Sequence, residues 1–169
     1  MFRAIAVVLT LFASPALADE CDAIAAGISG ATFLHVKKRA SYGPFINFDV
    51  GHDDLMLACS GRRSLSFTFF GSTDYRFPPP EDLTLFSRAV AAMASFNPDL
   101  VYTLSVQCEQ KALRDTRQGP GGDTYGRATE PVSDHAHYLI CTADHDNMYT
   151  FTIAYNDDST LNSGLENGR

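Results

Sequence analysis

The histidines His135 and His137 are the residues best spaced for chemistry in this sequence. Residues two apart in a β-strand point to the same side, so both imidazoles can face one metal ion. His145 follows a strand length later, about 27 Å from His137 at 3.4 Å per residue, so a third ligand has to come from elsewhere. The spacing equally fits two half-exposed histidines where a strand leaves a polar loop. A metal-binding protein or metal-dependent hydrolase using His135 and His137 is therefore the alternative function.

The run Gly51-His52-Asp53-Asp54 places adjacent carboxylates and an imidazole at an expected hairpin tip. These groups suit a bound cation or general acid–base chemistry. Turns collect glycine and aspartate anyway, because both tolerate turn backbones, so we interpret the run as structural. A second acidic turn, Asp144 to Asn147, lacks the glycine and glutamate of a calcium-binding EF-hand loop, whose positions Tyr149 and Tyr155 occupy. We expect no such calcium loop.

Motifs that mark common enzyme classes are missing from the sequence. It contains no G-x-S-x-G nucleophile elbow, no S-x-x-K motif, no phosphate-binding P-loop and no G-x-G-x-x-G dinucleotide motif. We therefore assign no catalytic residue and expect no bound cofactor.

Three aromatic residues lie outside the expected core. Most of the 12 Phe and 7 Tyr residues fall on inward-facing strand positions. Phe70, Tyr75 and Phe77 instead surround a loop that ends in Pro78-Pro79-Pro80. They form a candidate contact patch for a partner, with burial beneath that loop as the alternative.

The first 18 residues have the three parts of a secretory signal peptide. Arg3 supplies a positive start, Ala4 to Phe12 is apolar except for Thr10, and small residues precede a cleavage site after Ala18. The apolar run is shorter than the ~20 residues that span a bilayer, and no later stretch reaches that length. We predict a periplasmic or secreted mature protein with no membrane span.

The charge of the mature chain limits its partners. Removing residues 1–18 deletes one basic residue and leaves 12 basic against 20 acidic residues, a net charge of −8 over 151 residues. Phosphate backbones repel an acidic chain, and the basic runs Lys37-Lys38-Arg39 and Arg62-Arg63 are too short to reverse this. We expect no nucleic-acid partner.

All four cysteines, Cys21, Cys59, Cys108 and Cys141, lie in the mature part. An even number in an oxidising compartment predicts two disulfides, and three pairings are open. We favour Cys21–Cys59 and Cys108–Cys141, because each pair joins sequence neighbours and ties an expected helix to an expected strand. Each bridge closes a loop of about 35 residues, for which the chain-entropy model gives roughly 3.5–4 kcal/mol.

Hydrophobic periodicity predicts an α+β fold. Helices are expected over Asp19 to Ile28, Glu81 to Phe96 and Asp99 to Arg114. The third segment also alternates like a strand, but its Asn97-Pro98-Asp99 start and its polar, helix-favouring end decide for a helix. Period-two patterns predict strands at Thr32 to Lys37, Phe45 to Val50, Leu55 to Cys59, Leu65 to Phe70, Tyr125 to Glu130, His137 to Ala143 and Met148 to Tyr155.

These elements combine into a single domain over residues 19–155, followed by a flexible polar tail over 156–169. We expect a mainly antiparallel sheet of six or seven strands, with two or three helices packed on one face and two disulfides. The leading functional hypothesis is a non-catalytic binding or interaction module. Its partner is an unidentified protein or small ligand, bound by the open sheet face or the Phe70 to Phe77 loop.

Overall fold

A computed structural model describes residues 15–39, 45–59, 63–70, 77–115, 117–118, 124–132, 136–144 and 148–155. These residues form three helices: α1 (Pro15–Thr32), α2 (Pro80–Ala94) and α3 (Pro98–Arg114). They also form eight strands: β1 (Val36–Arg39), β2 (Phe45–Val50), β3 (Asp53–Ala58), β4 (Ser64–Phe70), β5 (Arg117–Gln118), β6 (Thr124–Pro131), β7 (His137–Asp144) and β8 (Met148–Tyr155).

The strands form one antiparallel sheet in the order β1-β2-β3-β4-β8-β7-β6-β5. The first four strands run as a meander, and so do the last four. The two meanders join at the centre, where β4 pairs with β8 along seven residues from Ser64↔Ala154 to Phe70↔Met148. Two strands far apart in sequence therefore lie side by side in the middle of the sheet.

Alternation along the strands separates the two faces of the sheet. One face is a buried layer that packs with the helices in a single hydrophobic core. Phe67, Phe86 and Phe151 lie at its centre, with ring centroids 6.3 Å apart for Phe67–Phe86 and 5.7 Å apart for Phe86–Phe151. Since helix α2 supplies Phe86, this cluster fixes the helix against β4 and β8.

Local sequence signals set the limits of α2 and α3. Proline stands at the start of both helices, where its missing N–H costs no hydrogen bond. The Asn97 side chain caps α3 by accepting a hydrogen bond of 2.9 Å from the Asp99 N–H. Helix α2 ends at Ala94, and Ser95 caps it in a left-handed conformation with φ 57°.

The expected α+β class is confirmed, with three helices and two disulfides. The bridges are Cys21–Cys59 and Cys108–Cys141, with Cα atoms 5.9 and 5.8 Å apart. The first ties α1 to the end of β3, and the second ties α3 to β7. No described helix is long and apolar enough to cross a membrane.

The segment after α1 differs from the sequence prediction. The helix continues to Thr32, whose hydroxyl donates to the Ile28 carbonyl at 2.7 Å. Phe33 then adopts a positive φ of 61°, and β1 begins only at Val36. Strand β5, two residues long, falls within a stretch expected to be a loop.

Two expectations about the ends of the chain, the signal peptide and the polar tail, stay predictions. Helix α1 starts at Pro15, before the expected cleavage after Ala18, and residues 1–14 lie outside the described residues. The proposed tail over 156–169 also lies outside them.

Candidate functional site

One end of the sheet brings together the β2–β3 hairpin, the last residue of β4 and the first turn of α2. The hairpin turns at Gly51, whose φ of 75° suits glycine, and His52 is exposed beside it. Asp53 then accepts a hydrogen bond of 3.0 Å at its Oδ1 from the Phe70 N–H. This bond ties the hairpin tip to the end of β4.

The carboxylates at this end repel one another. Burial, followed by repulsion from Asp53 and Glu81, raises the pKa of Asp82 to about 6. Burial also raises the pKa of Asp53, while the Phe70 N–H and His52 lower it and Asp54 raises it. Since a helix N-terminus by itself favours ionised carboxylates, the raised pKa of Asp82 indicates that burial and like charge outweigh the helix dipole.

Phe70 is an exposed apolar residue at the end of β4, and its backbone N–H bonds to Asp53. Its side chain is 48 % exposed, lies opposite Met148 across the central strand pair, and by alternation shares the sheet face of Ser66 and Thr68. We call the surface formed by Asp53, Phe70, Glu81 and Asp82 the Phe70 corner. Of the other two expected contact residues, Phe77 packs against the core and Tyr75 lies outside the described residues.

The Phe70 corner is suited to an organic cation. Within the described ranges, no group of three or more histidine, cysteine, aspartate or glutamate side chains is arranged to hold a metal ion. A lysine or arginine side chain needs no such convergence, since it can bind carboxylates that are spread apart.

The structure describes only one member of the predicted histidine pair. His137 is half-buried, and its ring makes a T-shaped contact with Phe96 at a centroid distance of 5.0 Å. His135 lies outside the described residues, so a metal site built on His135 and His137 stays a prediction.

Glu109 is a buried carboxyl group that the sequence analysis did not single out. The Glu109 side chain is fully buried on α3, and neither of its carboxylate oxygens has a hydrogen-bond partner among the described residues. Burial raises its pKa to about 8. Glu109 directly follows Cys108, which belongs to the buried stripe of α3. This position next to the buried stripe is the sequence signal that could have indicated its burial.

The second sheet face, which we call the open face, is covered by none of the described helices. Its central strands carry short hydroxyl side chains that pair across β4 and β8, at 3.0 Å for Ser66–Thr152 and 3.3 Å for Thr68–Thr150. Their half-buried state and mutual hydrogen bonds make this part of the face flat and its polar groups partly satisfied.

Comparison with protein-family models, curated proteins and solved structures returned no match to this chain. Two features independent of relatives remain for a functional argument: the chemistry of the Phe70 corner and the pattern of the open face.

Proposed function

We propose that this chain is an exported, non-catalytic binding protein whose Phe70 corner binds a basic and apolar peptide segment of another protein. The two disulfides are consistent with a small secreted protein. All four cysteines are paired, so no thiol is available as a nucleophile. The observation that carries the proposal is the exposed Phe70, whose backbone N–H bonds to Asp53, one of two carboxylates that raise the pKa of Asp82.

Three carboxylates, Asp53, Glu81 and Asp82, make the corner acidic. Asp53 and Glu81 lie close enough to Asp82 to raise its pKa, so their repulsion opposes its ionisation. A bound cation removes that repulsion, so binding and the ionisation of Asp82 favour each other. A basic peptide is therefore expected to lower the pKa of Asp82 from about 6.

Phe70 supplies the apolar part of the corner. Half of this side chain remains exposed, and covering it would contribute about 1 kcal/mol, roughly half the value for burying a whole phenylalanine. A partner with an apolar residue next to a basic one would use both features of the corner. Because the contact is small, we expect a short peptide to bind weakly, with a Kd of about 1 mM.

The test is an NMR titration of isotope-labelled protein, residues 19–169, with a five-residue peptide that alternates lysine with leucine. We expect amide shifts at Asp53, Phe70 and Asp82, and an affinity that falls when salt screens the charges. The same peptide with glutamate in place of lysine is the matched probe and should not bind.

Two variants of the corner have matched controls elsewhere. Phe70→Ser and Asp82→Asn should each weaken binding about fivefold or more, which corresponds to about 1 kcal/mol. Leu113→Ser removes another exposed apolar side chain, and Asp99→Asn removes the acidic residue from the first turn of α3. Equal losses from the control variants, or equal binding of the acidic peptide, would refute the proposal.

A further inference from the structure

The order of the strands divides the open face into two halves of equal width. Four strands lie on each side of the boundary between β4 and β8. A twofold axis parallel to this boundary, between two stacked copies, would place β4 of one copy on β8 of the other. It would likewise place β3 on β7 and β2 on β6.

Two rows of side chains across the open face can be followed through the strand registers. The first row reads Asp49, Asp54, Thr68, Thr150, Thr142 and Arg127. The second row reads Asn47, Met56, Ser66, Thr152, Ile140 and Thr129. Each row has six positions, and the boundary between β4 and β8 falls in its middle.

The second copy would present each row in the opposite order, and each row is complementary to itself in that order. When the first row is laid on its reverse, Asp49 meets Arg127 and the central threonines Thr68 and Thr150 meet each other. In the second row, the same operation lays Met56 on Ile140. Opposite charges therefore face each other at the flanks, apolar side chains face each other further in, and short side chains meet at the axis.

The charges on the first row favour such a match. Asp49 and Asp54 lie directly opposite one another in the sheet, an unfavourable pairing of like charges. Lys37 offsets part of it, with its Nζ 3.9 Å from the Asp49 Oδ1. Arg127 is exposed at the other end of the row and forms no ion pair with another described residue. A second copy supplies the missing opposite charge at both ends.

From these rows we infer that the open face binds a second copy of this chain, sheet against sheet, about a twofold axis parallel to β4 and β8. Sheets packed face to face lie about 10 Å apart with strand directions within about 30°, and an arginine side chain spans the offset at the flanks. Six strands of about six residues give a flat footprint of about 600 Å², close to the ~800 Å² per partner of standard interfaces. This inference goes beyond the proposed peptide binding and does not depend on it.

The test is the oligomeric state of the mature protein, measured by sedimentation velocity between 1 and 200 µM, with charge reversals at the flanks. In the proposed dimer, position 49 of each copy faces position 127 of the other. Asp49→Arg therefore brings two positive charges together at both contacts, and Arg127→Asp brings two negative charges together. Each single variant should weaken the dimer at least about tenfold, or 1.4 kcal/mol. The double variant Asp49→Arg/Arg127→Asp recreates both contacts in reverse and should restore the dimer.

A matched control and two refuting outcomes complete the design. Arg88→Asp makes the same charge change on the exposed side of α2 and should leave the dimer constant unchanged. A wild-type protein that stays monomeric over the whole range overturns the inference. So does a dimer that responds equally to Arg88→Asp and Arg127→Asp, or one that the double variant fails to restore.

Discussion

Replacing the buried Glu109 with glutamine should stabilise the protein at neutral pH. The side chains have nearly the same shape, but glutamine stays uncharged at every pH. In the folded protein burial raises the pKa of Glu109 to about 8 from an ordinary value of 4.5. The folded state therefore favours the protonated form, whereas the unfolded chain releases that proton easily.

The sign and size of the effect follow from proton linkage. Between pH 4.5 and 8 the folded state holds a proton that the unfolded state has lost, so the stability contributed by Glu109 falls as the pH rises. Each pH unit corresponds to 1.36 kcal/mol, which gives a loss of about 3 kcal/mol at pH 7. This is a large part of the 5–15 kcal/mol by which domains are usually stable. Glu109→Gln should remove the loss.

The assay is urea unfolding with the disulfides intact, followed by far-ultraviolet circular dichroism because the chain has no tryptophan. Wild type and Glu109→Gln should have similar stability at pH 4.5 and should differ by about 3 kcal/mol at pH 7. Comparing the two proteins cancels other titrating groups, such as Asp82, whose raised pKa acts in the same direction. Asp115→Asn, which removes an exposed carboxylate just after α3, is the control and should keep the wild-type slope.

Two results would refute this reasoning. If Glu109→Gln destabilises the protein at pH 7, the carboxylate makes a favourable ionised contact in the fold. If the variant keeps the full pH slope of the wild type, burial does not hold Glu109 in its protonated form.

Two further predictions concern the covalent frame and one backbone conformation. Replacing Cys21 and Cys59, or Cys108 and Cys141, with serine should lower the free energy of unfolding by about 4 kcal/mol, because the bridges span 38 and 33 residues. Urea unfolding checks this, and a loss below 1 kcal/mol would show that the unfolded chain is already constrained. Phe33→Gly should stabilise by about 1 kcal/mol, because Phe33 has a φ of 61° and is 82 % exposed, so little packing is lost. A lower thermal midpoint for this variant would show that the ring makes a favourable contact.

Periodicity in the sequence was sufficient to predict the sheet and most of its core. Inward rows such as Leu65, Phe67 and Phe69 are buried as the alternation indicates, because one face of the sheet meets the helices. The choice of helix for the ambiguous segment after Asn97 is confirmed, since the asparagine cap forms. Both disulfide pairings are also confirmed, because a helix and a strand close in sequence lie against each other in this fold.

Features that depend on tertiary contacts were harder to predict. The strand expected at Thr32 starts later, because the threonine hydroxyl bonds back into the helix despite the β-propensity of threonine. The approach of Asp53 to Asp82 joins a hairpin tip to a helix start, and no local pattern relates residues 29 positions apart. The local sequence around Glu109 indicates only that it favours a helix. Its burial becomes evident only once α3 has neighbours.

The two proposed surfaces overlap at Phe70. Phe70 and Met148 are opposite each other on the central strands, and they continue the open-face positions Thr68 and Thr150 by two residues. The twofold axis would therefore lay Phe70 of one copy on Met148 of the other, and the dimer would cover the ring that the peptide is expected to contact. Dimerisation and peptide binding should then compete. At a concentration where the wild type is dimeric, Arg127→Asp should bind the five-residue basic peptide more tightly than the wild type, because more of this variant is monomeric. Equal affinity of the two proteins would show that the dimer leaves the Phe70 corner accessible.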